Sequence, residues 1–371
     1  MNRKIILLAS LALCGAIWTA LPRSLSGQAP RSYAAHGSAG VSEVDLRAAI
    51  DPLFDDSAMG QTRALVVMRD GEIIAERYGD GFGPGSKLIS WSIAKSITAT
   101  LVGLMVSDGR LVLDAPAPVP AWSQPGDPRA GITLRNLLHM SSGLEHVENG
   151  DPVYDSDTVR MLFMSGAGDM AGYAEAKPLA SRPGTAFQYS TATSMILSDI
   201  VTRALTASED PDVRRQAMMQ FLRGRLIEPL GLASLTPEFD AHGTLIGGSF
   251  MHATARDYAK FGEFLRRNGE ADGRQILSAR WVRFMRTSSP LDPSYGGHMW
   301  LNKPRPEGRR DILFPGHGPS SLFASLGHRG QYLLISPEQG LTIVRLGFSN
   351  EEEQAAVRQQ LARLVELFPG G

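Results

Sequence analysis

The sequence predicts an α+β fold, with an antiparallel sheet from both chain ends, flanking helices and a helical lobe. Three observations predict it. Short β-rich runs occur near the start, at residues 64–78, and again near the end, at 321–348. The stretch from 133 to about 290 reads mainly as helices joined by long loops. Strands and helices do not alternate in the βαβ order that builds a parallel sheet.

The elements follow in order. Ser42-Glu43-Val44-Asp45 has the form of a capping box, opening an apolar-periodic helix through Ile50. Ala64 to Arg69 is a β-rich run, Asp70-Gly71 a tight turn, and Glu72 to Tyr78 its returning partner. A Gly-rich loop, 79–86, leads to Ser92. From there Ile93, Ile97, Leu101 and Leu104 recur at helical spacing until Asp108-Gly109. Near the C-terminus, Ser321 to Gly327, Gln331 to Ser336 and Leu341 to Phe348 read as strands. Glu351 to Leu367 reads as a closing amphipathic helix.

The N-terminus is different in kind. Arg3 and Lys4 precede an apolar run from Ile5 to Leu21. Residues 1–21 therefore read as a secretory signal or signal anchor, and 22–40, rich in Ser, Gly, Ala and Pro, as a flexible tether. The folded domain is expected over 41–371, exported to the periplasm or extracellular space, with a membrane tether through 5–21 if the signal is not cleaved. The one cysteine, Cys14, lies in the apolar run, so the exported part has no disulfide, Cys nucleophile or thiolate metal site.

Of the 371 residues, 43% are hydrophobic and 20% charged, ordinary values for a globular protein with a sizeable core. The net charge is −1 and no basic run exceeds two residues, which argues against nucleic acid as a partner. There is no G-x-S-x-G elbow, no H-E-x-x-H, no P-loop and no metal-ligand spacing among eight histidines. No metal or organic cofactor is implied.

One tetrad carries chemistry. Ser92-Ile93-Ala94-Lys95 places a hydroxyl and an amine three residues apart, on one face at a helix start. The helix N-terminus offers backbone donors and positive potential to a developing anion. A desolvated lysine there loses its proton readily and acts as base toward the serine. Taken singly, such a tetrad is also what composition alone produces.

Its surroundings add weight. Ser90-Trp91-Ser92-Ile93-Ala94-Lys95-Ser96, Ile132 to Leu144, Gly247 to Tyr258 and Leu326 to Pro337 together resemble the serine β-lactamase-related superfamily of penicillin-recognising enzymes and esterases. The look is closest to its 6-aminohexanoate-dimer hydrolase branch. The resemblance implies the β-lactamase/transpeptidase-like fold, with Ser92 as nucleophile and Lys95 as base. It implies Tyr189, in Tyr189-Ser190-Thr191, as a proton shuttle whose phenol nearby cations such as Lys95 would have to acidify. Thr191 stands where Asn is common.

The resemblance also implies that His328-Arg329-Gly330 replaces a Lys-Thr-Gly strand beside the serine. Gly330 would then let substrate approach the strand edge, and the Gln331 N–H would complete an oxyanion hole with that of Ser92. A neutral His328 attracts a substrate carboxylate poorly, which favours esters and uncharged amides; Arg329 could restore the charge. Trp300 is expected near the site, chiefly as packing, and His317 in a loop.

Three functions follow: an esterase or amidase acting on a small ester, amide or peptide through an acyl-enzyme; a D-Ala-D-Ala-type peptidase or β-lactamase; and a binding or sensor protein on a retired hydrolase scaffold.

Overall fold

A computed structural model describes residues 33–38 and 40–370. The predicted signal segment, Cys14 and the first part of the predicted tether lie outside the described residues. No described helix is long and apolar enough to cross a membrane.

Seven strands form the main sheet: β1 (Tyr33–Ala35), β2 (Gln61–Arg69), β3 (Glu72–Tyr78), β4 (Trp300–Leu301), β5 (Phe323–Gly327), β6 (Gln331–Ser336) and β7 (Leu341–Phe348). Their spatial order is β1-β3-β2-β7-β6-β5-β4, antiparallel throughout. The two chain ends meet where β7 pairs with β2, Val344 opposite Val66. The expected hairpin is present: Asp70 and Gly71 both take positive φ (50° and 90°), the geometry of a two-residue turn matched to strand twist. The tether, however, ends earlier than its composition suggests. Tyr33–Ala35 pairs with β3, Ala35 is buried, and the Tyr33 ring lies under the guanidinium groups of Arg47 and Arg77.

Both faces of the sheet are covered, so the central strands are apolar on both sides. Alternation divides their side chains between two cores. Ala64, Val66, Met68, Leu333, Ile335, Val344 and Leu346 pack toward the helical lobe. Leu65, Val67, Leu334, Leu341 and Ile343 pack toward α1 (Glu43–Ile50) and the closing helix α5 (Glu351–Glu366). Ser42 caps α1 by accepting the Asp45 N–H at 3.1 Å.

The lobe is built around α2 (Ile93–Ser107), in which every residue from Ile93 to Met105 is buried. A helix apolar all round belongs at the centre of a domain. Beside it run α3 (Thr191–Leu205) and α4 (Ala255–Arg266). Gly103 leaves room for the Trp281 indole, which donates to Ala99 O at 3.1 Å. A second sheet, not foreseen from the sequence, joins Leu88–Ile89, Met251–Ala253 and Thr236–Pro237. Strands of two or three residues leave too little pattern to read. This sheet leads the chain directly into Ser92.

Candidate active site

Ser90 fixes the approach to the helix. Its N–H donates to Met251 O at 2.7 Å, and its hydroxyl donates to Ser249 O at 3.0 Å. Trp91 then adopts φ 44°, a left-handed conformation that bulky residues seldom hold, and this turns the chain into α2. Strain of this kind persists where the surroundings over-determine it. Here the Trp91 ring is held edge-on by Phe250 (5.8 Å between centroids) and His328 (5.2 Å).

Ser92 occupies the N-cap position of α2. Lys95, one turn on, is 2% exposed and donates to Ser92 Oγ (2.9 Å), Thr191 Oγ1 (3.0 Å) and Gly248 O (2.7 Å). Three acceptors use all three ammonium donors. Burial lowers the Lys95 pKa to about 8. The neighbour opposing that shift is an anion, Glu148. Gly248 belongs to a motif quoted above. A side chain there would press on Thr191, so its glycine keeps the carbonyl close to Lys95.

Glu148 was missed by sequence reasoning. Its carboxylate accepts from Thr191 N–H (2.7 Å) and Thr191 Oγ1 (2.6 Å). It also bonds His146 Nε2 (3.0 Å) and Thr158 Oγ1 (2.8 Å). Burial alone would raise its pKa, but the His146 contact and the Lys95 charge hold it down, at about 2. Thr191, flagged as a departure from Asn, thus connects Glu148 to Lys95. A Glu five residues past the Ser-Ser-Gly turn carries no periodic signal, and nothing in the sequence ties it to residue 191.

Tyr189 joins the site, but not as an acidified phenol. Burial, then the nearby Glu148 charge, push its pKa above the ordinary value, and contact with Ser92 offsets this only partly. Lys95 Nζ sits over the ring face, 5.2 Å from its centroid. Trp300 stacks on Tyr189 at 5.5 Å and 24°, with Tyr295 edge-on to both. Trp300 therefore lines the site as well as packing.

The third motif differs from expectation in its placement. His328-Arg329-Gly330 is the turn between β5 and β6, not part of a strand. The glycine that approaches the serine segment is Gly327: a Cβ there would stand 2.5 Å from Ser90 O. Gly330 instead faces the buried Arg345, whose Nη1 donates to Gly330 O at 2.7 Å, so its freedom serves the turn (φ 83°) and not substrate approach. The Gln331 side-chain amide is held by His328 O and by both polar backbone atoms of Gly347. Among the described residues, neither the Ser92 N–H nor the His328 N–H has a backbone acceptor. Burial, then Arg329, lower the His328 pKa, which keeps the imidazole neutral. The Arg329 guanidinium lies over the Phe348 ring at 4.9 Å and does not border the cavity that Ser92 opens onto. His317 is exposed and pairs with Glu366 at 2.6 Å.

Ser92, Tyr189, Trp300 and His328 open onto one cavity of about 490 Å³, bordered also by Glu148 and Gln331. That volume suits a small organic ligand.

Comparison with known proteins agrees with this architecture. The chain is 26% identical over 295 residues to the 6-aminohexanoate-dimer hydrolase of Paenarthrobacter ureafaciens, covering 77% of this chain and 72% of that one. It is 31% identical over 183 residues to esterase EstB of Burkholderia gladioli, covering 43% and 45% respectively. A penicillin-binding protein homologue from Caulobacter crescentus has the same fold, with TM-score 0.63, 18% identity and coverage of 87% and 96%. The sequence profile of the Beta-lactamase family matches residues 55–367. With fold and profile in agreement over nearly the whole described chain, this protein belongs to the Beta-lactamase family of serine hydrolases.

Proposed function

We propose that the protein cleaves small ester or amide substrates through an acyl-enzyme on Ser92. The observation that carries this reading is the Ser92 Oγ–Lys95 Nζ contact of 2.9 Å, with the amine buried, its pKa lowered to about 8, and Ser92 bordering an open cavity. A base near neutrality is the useful one at physiological pH.

Neutral Lys95 takes the Ser92 proton as Oγ attacks the carbonyl carbon. The oxyanion is held by the N–H groups of Ser92 and His328, the latter replacing the Gln331 donor expected from sequence. Tyr189, a neutral phenol, protonates the leaving oxygen or nitrogen and recovers a proton from the Lys95 ammonium. Water then enters by the same route in reverse and releases the acid.

The printed names of the two curated relatives, a dimer hydrolase and an esterase, support ester or amide chemistry. The neutral His328 weighs against recognition of a carboxylate beside the scissile bond, and so against a cell-wall peptidase or β-lactamase. We further propose that the enzyme works outside the cytoplasm, on the strength of its N-terminal apolar run.

The test is hydrolysis of p-nitrophenyl butyrate by the wild type and Ser92→Ala, with a chromogenic cephalosporin alongside. Ester turnover lost in the variant is the expected result. Equal rates in both proteins would remove Ser92 as nucleophile. Turnover of the cephalosporin alone would move the assignment to β-lactam chemistry.

A further inference from the structure

The cavity that holds Ser92 is also bordered by two arginines that the proposed mechanism does not use. Arg310 and Arg358 border it, Arg310 from the 302–312 loop and Arg358 from α5. Burial raises the pKa of the Tyr332 phenol, which borders the same cavity, and the charges of Arg358 and Arg310 oppose that rise, so both guanidinium groups lie near it. Both also form the wall shared with an adjoining cavity of about 640 Å³.

The neighbouring arginines are already engaged. Arg305 holds Asp292 at 2.9 Å and Arg309 reaches the same carboxylate at 3.6 Å. Arg345 is enclosed by Gly330 O, Thr62 Oγ1, Met59 O and Ser349 Oγ. Arg310 and Arg358 form no ion pair with any described residue. The carboxylates on the same wall are Glu351 and Asp311, and Asp311 accepts the Arg305 N–H at 2.9 Å.

Two guanidinium groups on one cavity wall suit a carboxylate, which they bind by charge-assisted, geometrically matched hydrogen bonds. The β5–β6 turn puts no cation on the cavity wall: His328 is neutral, and Arg329 lies over Phe348 outside the lining. Positive charge has been withdrawn from the reacting carbonyl and is available farther along the cavity.

From this we infer that the preferred substrate carries a carboxylate several bonds away from the carbonyl that Ser92 attacks, and that Arg310 and Arg358 receive it. The inference rests on the acyl-enzyme reading and names the substrate class for that site.

The experiment compares mono-(4-nitrophenyl) adipate with 4-nitrophenyl hexanoate, which share a six-carbon acyl chain and differ in ending in carboxylate or methyl. A second pair, 4-(butanoyloxy)benzoate against phenyl butanoate, places the acid on the leaving group. For each pair the ratio of kcat/KM, acid over neutral, is measured in the full-length wild type, Arg310→Gln and Arg358→Gln. We expect one pair to favour the acid in the wild type. That ratio should fall about tenfold in each variant and shrink with added salt, as a charge-assisted contact screened by ions would.

Taking a ratio within each protein separates recognition from folding losses, which lower both rates together. Turnover of the neutral esters with no acid preference in either pair, or with a ratio unmoved in both variants, overturns this inference alone. Failure of the wild type to turn over any of the four esters overturns the hydrolase reading, and this inference with it.

Discussion

Lys95 Nζ lies 3.0 Å from Thr191 Oγ1, and that hydroxyl in turn donates to Glu148 at 2.6 Å. The hydroxyl proton is committed to the carboxylate, so Thr191 presents only a lone pair to the lysine. The lysine's remaining donors meet a carbonyl and the serine. This arrangement fixes the amine on Ser92 and couples its charge to an anion one residue removed.

Replacing Glu148 by Gln removes the one influence that raises the Lys95 pKa against its burial. The base works when neutral, so the acid limb of kcat/KM, near pH 8 in the wild type, should move to lower pH by roughly one unit. A pH–rate profile of ester hydrolysis checks this. An unmoved limb would mean that Glu148 only braces Thr191.

Tyr189→Phe tests the phenol as a proton donor. Burial and Glu148 disfavour its ionised form, so it acts as an acid and not as phenolate. The variant should lose about 10²–10³ in kcat, and less with p-nitrophenyl esters, whose leaving group needs no proton. Alkyl and p-nitrophenyl esters measured side by side give the contrast; equal losses on both would remove the acid role.

Gly327→Ala puts a Cβ 2.5 Å from the Ser90 carbonyl, which belongs to backbone and yields little. We expect a stability loss of about 1–3 kcal/mol and a larger fall in turnover than stability alone explains, because β5 is pushed off the serine segment. Thermal unfolding and kcat on one preparation decide it. Normal turnover in the variant would mean that β5 does not shape the oxyanion site.

Glu175 is buried in the lobe, and its Oε1 has no hydrogen-bond partner among the described residues. Burial, then the nearby Asp199, raise its pKa from 4.5 to about 8. The folded-state pKa exceeds the unfolded one, so its stabilising contribution is complete below pH 4.5 and is lost as pH rises through 8. Glu175→Gln should therefore leave stability nearly unchanged at pH 4 and raise it at pH 9 by at least about 1 kcal/mol. Denaturant melts at the two pH values measure it, and a variant equally affected at both would refute the shift.

The β-rich runs, the Asp70-Gly71 turn, the central helix and the closing helix were legible because each is local. Strand alternation, turn chemistry and helical spacing repeat over a few residues. Ser92 and Lys95 were legible for the same reason, since one helical turn joins them. Tyr189 could be named only through family resemblance, and the surroundings that raise its pKa could not be read at all. Its pKa depends on burial against Trp300 and on Glu148, both distant in sequence.

The sequence by itself determined the sheet built from both chain ends, the helical middle and the Ser92–Lys95 pair, because short-range spacing encodes them. Only the tertiary structure decided that Glu148 reaches Lys95 through Thr191. It alone turned Gly330 toward Arg345, gave the close approach to Gly327, and set Arg310 and Arg358 in the same cavity as the serine. Each of those relations joins residues far apart in the chain. Their energies come from burial and direction, and neither exists until the two cores have packed on the sheet.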